Sequence, residues 1–354
     1  MGEEKKDIKS LSLAEVTEEF LAMGEKKFRA LQVFEWLHKR SVTEFGQMTN
    51  VSAGLRETLE KQYKLVSLRE VRRLASAQDE TVKFLFALPD DKVIESVFMK
   101  YKHGNSVCIS SQAGCRMGCR FCASTLGGLE RNLTASEMVE QIYRIQELTG
   151  ERVSNVVVMG TGEPMDNYDN LIRFLHLISA PEGQGMSLRN ITVSTCGIVE
   201  NMRRFAEEGL PVTLALSLHA PNDEARKRLM PVANRYALKD VLAACDYYFK
   251  KTGRRISYEY SLVAGENDTE AEADALGKLL KGKNCHVNLI PVNPIKEREY
   301  KQSSFKNVLN FRKRLEKYNI NVTIRRELGA DIGAACGQLR KSHLDLSEIQ
   351  GEEA

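Results

Sequence analysis

Apolar residues recur at near-helical spacing through the first eighty positions. Leu11 to Met23 shows the pattern first, followed by Phe28, Leu31, Phe34, Trp36 and Leu37. This is the period of amphipathic helices, and no strand pattern interrupts it. From Thr81 the period shortens to two. Thr81–Leu88 and Lys92–Met99 read as strands around the turn Pro89-Asp90-Asp91, and His103-Gly104-Asn105 marks a further turn. Beyond it, strand-like runs at 106–110, 154–159, 190–195, 212–217, 256–262, 286–292 and 320–326 alternate with helical stretches. The helix after Leu133 is signalled by the capping pair Thr134 and Glu137 and by the stripe Met138, Ile142 and Ile145. Such alternation predicts an α/β fold with a parallel sheet or barrel. The expected organisation is a helical accessory domain over 1–80, a β-hairpin linker over 81–105, a (βα) barrel or partial barrel over 106–342, and a polar tail over 343–354.

A chain of 354 residues can bury a large core without disulfides. No apolar run approaches the ~18 residues of a membrane span. Met1 to Ser10 carries no apolar signal core, and Lys6 stands where N-myristoylation needs Ser or Thr. The chain is therefore expected in the cytoplasm, as a monomer with no membrane partner. Thiols stay reduced there, so its eight cysteines are not expected to form a disulfide framework. The net charge of +3 neither requires nor excludes nucleic acid. The basic excess gathers between Lys296 and Lys317, which reads either as a phosphate-binding surface or as a solvated helix face.

Cys115, Cys119 and Cys122 form a C-x3-C-x2-C run with Phe121 before its last member. Zinc usually takes four ligands, and neither a second C-x2-C pair nor a His-x3–5-His follows. Three thiolates on an iron–sulfur cluster leave one iron open for chemistry; a zinc site completed by a distant residue is the alternative. Polar groups gather where strands end, the place where parallel α/β folds bind ligands. The strand ending at Met159 runs into Gly160-Thr161-Gly162-Glu163-Pro164, a glycine turn carrying a carboxylate that can approach an ammonium group. Ser194, Ser217-Leu218-His219 and Asn293 close three further strands. Each alone reads as a turn or cap residue; together on one barrel face they form a candidate binding site.

Cys336 lies among small residues in Gly333-Ala334-Ala335-Cys336-Gly337, where a bulky partner can approach its sulfur. Read in isolation, Cys336 and Cys108 are buried apolar cysteines. Glu95 shares a strand face with Val93, Val97 and Met99, so it is a candidate acid or base. Cys196, Cys245 and Cys285 carry no pattern.

Taken in order, these motifs resemble the RlmN family of radical S-adenosylmethionine (SAM) RNA methyltransferases over nearly the whole chain. The resemblance runs from Lys27-Phe28-Arg29-Ala30 through Cys108-Ile109-Ser110-Ser111-Gln112, the cysteine run, Gly127-Gly128-Leu129-Glu130-Arg131-Asn132-Leu133, Gly162-Glu163-Pro164, Leu229-Met230-Pro231 and Pro291-Val292-Asn293-Pro294. It ends at Arg325-Arg326-Glu327-Leu328-Gly329 and Ala335-Cys336-Gly337-Gln338-Leu339. It implies a partial (βα)6-type barrel with a small N-terminal helical domain. It also implies a 4Fe–4S cluster with one open iron on Cys115, Cys119 and Cys122, two SAM molecules per turnover, and SAM contacts at Gly162, Glu163, Ser194, Ser217, Leu218, His219 and Asn293. The implied reaction methylates C2 of adenine 2503 in 23S rRNA and adenine 37 of tRNAs. Cys336 carries the methyl group, Glu95 accepts the C2 proton, and Cys108 forms a transient disulfide with Cys336. An electron donor for the cluster is a further implied partner. The competing readings are a relative that methylates C8 of the same adenine, a radical SAM enzyme on a small molecule or peptide, and a non-catalytic RNA-binding module.

Overall fold

The computed structural model describes residues 5–102, 104–335 and 337–339. Cys336 and the predicted tail 343–354 lie outside the described residues. Three helices open the chain: α1 (Leu13–Ala22), α2 (Lys27–His38) and α3 (Ala53–Gln62). Ser12 starts α1 with a capping box closed by Glu15. The apolar faces of these helices bury Val16, Phe20, Phe34, Leu37, Leu55 and Leu59 in the same core as the rest of the chain.

Ten strands then build one sheet: β1 (Arg69–Ala75), β2 (Val82–Ala87), β3 (Val93–Met99), β4 (Asn105–Ile109), β5 (Val153–Val158), β6 (Ile191–Thr195), β7 (Thr213–Ser217), β8 (Ile256–Leu262), β9 (Cys285–Pro291) and β10 (Asn321–Ile324). Their order across the sheet is their order in the chain. β1 to β4 are antiparallel neighbours; β4 to β10 are parallel. The crossovers are α4 (Ala135–Thr149), α5 (Tyr168–Ser179), α6 (Val199–Glu207), α7 (Asp223–Leu229) with α8 (Leu238–Thr252), α9 (Glu270–Leu280) and α10 (Phe305–Glu316). β1 and β10 are both edges, so the sheet is an open, partial barrel.

The seven strands expected after position 105 are found within two residues at either end, and the Thr134–Glu137 capping box starts α4. One expectation fails: the first eighty residues do contain a strand, β1. It is an edge, and its Arg69, Glu70, Arg72 and Arg73 leave no apolar alternation to read. The hairpin β2–β3 is not a free connection either. β3 pairs with β4, so the hairpin extends the barrel sheet sideways. Two short ribbons, Lys6–Asp7 with Tyr63–Lys64 and Gln112–Gly114 with Leu129–Asn132, are too brief to leave a period in the sequence.

The N-terminal helices dock on α4 through buried polar groups. Lys9 Nζ meets Glu140 Oε1 at 2.5 Å with both side chains fully buried, and it also donates to the Val42 carbonyl at 3.0 Å. Burial lowers the Lys9 pKa, with Glu140 opposing it. His38 Nδ1 lies 3.0 Å from the Tyr143 hydroxyl. Burial, reinforced by the nearby Lys9, brings His38 down to about 3, so its ring is neutral.

Candidate active site

The C-terminal ends of the parallel strands open into a cavity. One wall is the loop after β4. It carries Cys115, Cys119 and Cys122, all lining the cavity. The loop is pinned at several points: Cys115 N–H donates to Gly128 O at 2.9 Å, Arg120 N–H to Leu229 O at 2.9 Å, and Thr125 Oγ1 to the carbonyls of Cys119 and Cys122 at 3.2 and 3.0 Å. Gly118 turns it at φ +72°. Burial pushes the Cys115 thiol up to about 12, against a smaller lowering by the Met117 N–H, and Cys122 raises it further. Cys119 is pushed well above the ordinary thiol range, first by burial and then by Cys122 and Cys115. Three neighbouring thiolates need positive charge, and metal binding is coupled to their deprotonation. Among the described residues, no three His, Cys, Asp or Glu side chains converge tightly enough for a single metal ion. Three thiols on one loop are the donor set that would leave one iron of an iron–sulfur cluster open. Cys115, Cys119 and Cys122 thus fit the three-thiolate cluster.

Opposite the loop stands the glycine turn after β5. Glu163 is 4% exposed. Its carboxylate accepts the N–H groups of Cys196 at 2.7 Å and Met165 at 3.1 Å. Its own N–H donates to Gln112 Oε1 at 2.8 Å. Burial raises its pKa, and those backbone donors oppose the shift. Such a carboxylate is oriented, dehydrated and suited to a cationic ligand. Gly162 holds φ +109° with Gln112 packed directly against it.

Ser194 and Ser217 line the next part of the rim, their hydroxyls 3.4 Å apart. His219, at φ +55°, is buried and stacks edge-on with Phe121, centroids 4.8 Å apart. Its Nδ1 accepts the Ser261 N–H at 2.8 Å. Burial and then Arg226 bring its pKa down to about 3. The ring is therefore neutral, with its proton on Nε2. Asn293 completes the rim. Leu218 is the exception among the expected contacts: its side chain lies in the main core and does not line the cavity.

The hairpin supplies the remaining wall. Val97, Met99 and Cys108 line the cavity, and Cys108 is the cross-strand partner of Val97. Glu95 lies two residues along the same face of β3. It is 4% exposed, just behind the lining residues, with Lys83 Nζ 3.2 Å from its Oε1. Ser96 points the other way, donating to Gln141. Ala334, Ala335, Gly337 and Leu339 line the cavity on both sides of position 336 in sequence.

Three contributors escaped the sequence reading. Glu259 lines the cavity and accepts from Ser257 and Asn288, both at 2.8 Å. The alternation Ser257, Glu259, Ser261 on β8 was the available signal. Arg226, fully buried, ties two strand ends together by donating to Cys196 O at 2.5 Å and Leu218 O at 3.3 Å. It sits in the charged α7 and reads there as solvated. Cys196 acts through its N–H, which no side-chain pattern reveals. The basic stretch divides. On α10, Arg314 is engaged by Glu270 and Asp274, and Arg312 by Glu316. Lys296 and Arg298 are exposed on the loop beyond β9, a few residues along the chain from the lining residue Asn293.

Comparison with known proteins gives the family. Residues 109–276 match the radical SAM superfamily, and residues 6–65 match the ribosomal RNA large subunit methyltransferase N-terminal domain. A protein of Lachnoclostridium phytofermentans named "Probable dual-specificity RNA methyltransferase RlmN" is 64% identical over 347 residues, covering 98% of each chain. One of the same name from Lachnospira eligens is 57% identical over 346 residues, covering 98% of this chain and 99% of its own. The crystal structure of a radical SAM methyltransferase from Sphaerobacter thermophilus superposes with a TM-score of 0.91 at 41% identity, covering 95% of this chain and all of that one. No helix among the described residues is long and apolar enough to cross a membrane. The chain belongs to the RlmN family of radical SAM RNA methyltransferases, enzymes that use a 4Fe–4S cluster and SAM.

Proposed function

We propose that this enzyme methylates C2 of adenine, in 23S rRNA at position 2503 and in tRNA at position 37, through a methyl group carried on Cys336. The observation that carries the reading is the convergence on one cavity of the cysteine loop, Glu163, Cys108 and the residues flanking position 336. C2 of adenine is not nucleophilic, so direct displacement on SAM fails and a carrier is required.

Cys115, Cys119 and Cys122 hold the cluster, which when bound supplies the electron that cleaves SAM to a 5′-deoxyadenosyl radical. Glu163 receives the ammonium group of SAM, while Gly162, Ser194, Ser217, His219 and Asn293 bind the rest of it. Leu218 contributes through its backbone. The Cys336 thiolate first takes a methyl group from one SAM by displacement. Loss of a hydrogen atom to the deoxyadenosyl group of a second SAM leaves a methylene radical on that sulfur, which adds to C2. The adduct gives up one electron, which the oxidised cluster would take back, and Glu95 takes the C2 proton. Cys108 then attacks the Cys336 sulfur. The S–CH2 bond breaks, the carbon keeps the electron pair and gains a proton to become the methyl group, and an external thiol reduces the disulfide. The register that sets Cys108 beside Val97, with Glu95 two residues along, supports both roles. The exposed Lys296 and Arg298 suit RNA phosphates.

The test is anaerobic reconstitution with iron and sulfide, then SAM, reductant and unmodified 23S rRNA or tRNA, with nucleosides analysed by mass spectrometry. 2-Methyladenosine, lost in Cys336→Ala, is the expected product. 8-Methyladenosine, or 5′-deoxyadenosine with no methylated adenosine, refutes the reading.

A further inference from the structure

We propose that Lys83 is a positioning residue that fixes Glu95 and the segment leading into Cys336 against one another, so that proton removal is coupled to the placement of that segment. The inference rests on the reading of Glu95 as proton acceptor. Lys83 and Glu95 stand on adjacent strands, on the face turned toward the cavity: Lys83 pairs with Val97, and Leu85 with Glu95. The two side chains are 10% and 5% exposed. Lys83 Nζ lies 3.2 Å from Glu95 Oε1 and donates to the Gly333 carbonyl at 3.2 Å. One ammonium group therefore binds the base and the backbone three residues before Cys336.

A buried ion pair adds little stability over an apolar pair of the same size, so stability alone does not account for it. The surrounding contacts show what it serves. Asp79 in the β1–β2 turn accepts the Gly329 N–H at 3.0 Å. Asp331 accepts from Ser76 Oγ and the Ala77 N–H, both at 2.8 Å. Beyond position 336, the Ala123 N–H donates to Gly337 O at 2.8 Å and Ser124 Oγ to Leu339 O at 2.7 Å. The segment is thus gripped by the hairpin on one side and by the cluster loop on the other. Among these contacts, the one from Lys83 is shared with Glu95. Cys336 has four successive partners in the proposed chemistry: a methyl donor, the deoxyadenosyl group, the adenine base and the Cys108 sulfur. Glu95 must act only at the third. A cation shared between Glu95 and Gly333 holds the carboxylate in place when the segment is in place.

Lys83→Met and Lys83→Arg in the full reconstituted chain test this. In Lys83→Met, 2-methyladenosine formation should fall about tenfold or more, the scale of a lost hydrogen bond to a charged group. 5′-Deoxyadenosine formation should stay within about twofold, because cleavage of SAM precedes proton removal. A covalent protein–RNA adduct should accumulate on denaturing gels, and Lys83→Arg should restore turnover. In the cofactor-free chain, Lys83→Met should speed amide hydrogen exchange over 329–335. Should Lys83→Met not fold, Lys83→Gln, which keeps a donor without the charge, carries the same expectations. Proportional loss of both products with no adduct, or unchanged exchange, overturns the proposal. Equal yields of 2-methyladenosine from the unaltered chain and Glu95→Gln would instead overturn the role of Glu95 itself.

Discussion

Replacing Gly162 by alanine tests whether the glycine turn is what aims Glu163. At φ +109° an added Cβ would stand 2.6 Å from Gln112 Cβ, 2.8 Å from Gln112 N and 2.8 Å from Ser111 Oγ. Gln112 cannot retreat cheaply. Its side chain donates to Asn132 at 2.8 Å and to Asp166 at 3.0 Å, and its Oε1 accepts the Glu163 N–H at 2.8 Å. The left-handed backbone costs an L-residue about 1–2 kcal/mol, and forcing a group into packed surroundings costs about 1–3 kcal/mol more. Gly162→Ala should therefore lose about 2–5 kcal/mol in a urea titration. Gly253→Ala is the control: it shares the backbone penalty at φ +66° but meets nothing within 4 Å. Any shift of Gln112 drags the Glu163 N–H with it, and a misplacement of ~1 Å can cost about 10²-fold in a positioned site. Isothermal titration with SAM on the reconstituted protein should show Kd raised at least about tenfold for Gly162→Ala and unchanged for Gly253→Ala. Equal stability losses for the two variants, with normal SAM binding in both, would refute the reasoning.

Other consequences can be measured on the same protein. Lys9→Met leaves the buried Glu140 with only Arg144 at 3.5 Å and the Leu68 N–H at 3.4 Å, and should cost about 3 kcal/mol; the single tryptophan, Trp36 on α2, reports the transition, and adding Glu140→Leu should recover most of the loss. His38 and His219, both neutral with pKa values of about 3 in the fold, ionise near 6.5 when unfolded, so the unfolded chain binds more protons below that pH. Stability of the cofactor-free chain should fall as pH drops from about 6.5, by up to about 1.4 kcal/mol per pH unit for each histidine, and His38→Gln should reduce that slope; a flat profile between pH 6.5 and 5 contradicts it. Neutralising Lys296 and Arg298 together should lower the salt dependence of RNA binding by roughly one to two counterions, and an unchanged slope discards that surface.

The sequence exposes what periodicity and local chemistry can carry. β8 alternates Ile256, Tyr258, Tyr260 and Leu262 toward the core with polar residues toward the cavity, and α4 announces its start with Thr134 and Glu137. The cysteine run and the glycine turn are local, so their roles survive without a fold. What escapes depends on long-range partners. β1 is a strand because β2 pairs with it, not because its arginines prefer extended backbone. Arg226 is buried because the carbonyls of Cys196 and Leu218 converge on it, and the residues beside it in α7 give no hint of that. Leu218 shows the converse: its neighbours Ser217 and His219 face the cavity, while its own side chain enters the core.

The antiparallel wing explains how one cavity can hold a cofactor and also work on a second, bulky substrate. A parallel barrel offers functional groups only beyond its strand ends, and here the cysteine loop, Glu163 and the serine–histidine rim occupy them. The hairpin adds a strand face that runs alongside the cavity. On that face, residues two apart point the same way, so Glu95 and Val97 are committed together, and the pairing of Val97 with Cys108 fixes the third. Diagonal neighbours of this kind stand about 7–8 Å apart, a span that a single flat base can fill between the proposed proton acceptor and the proposed resolving sulfur. A one-residue slip of β3 would turn Glu95 into the layer where Ser96 meets Gln141. The polar contacts from Lys83, Asp79 and Ser76 to the last described segment supply a reason for the register to be held: the hairpin that positions the base also grips the backbone on which Cys336 is carried.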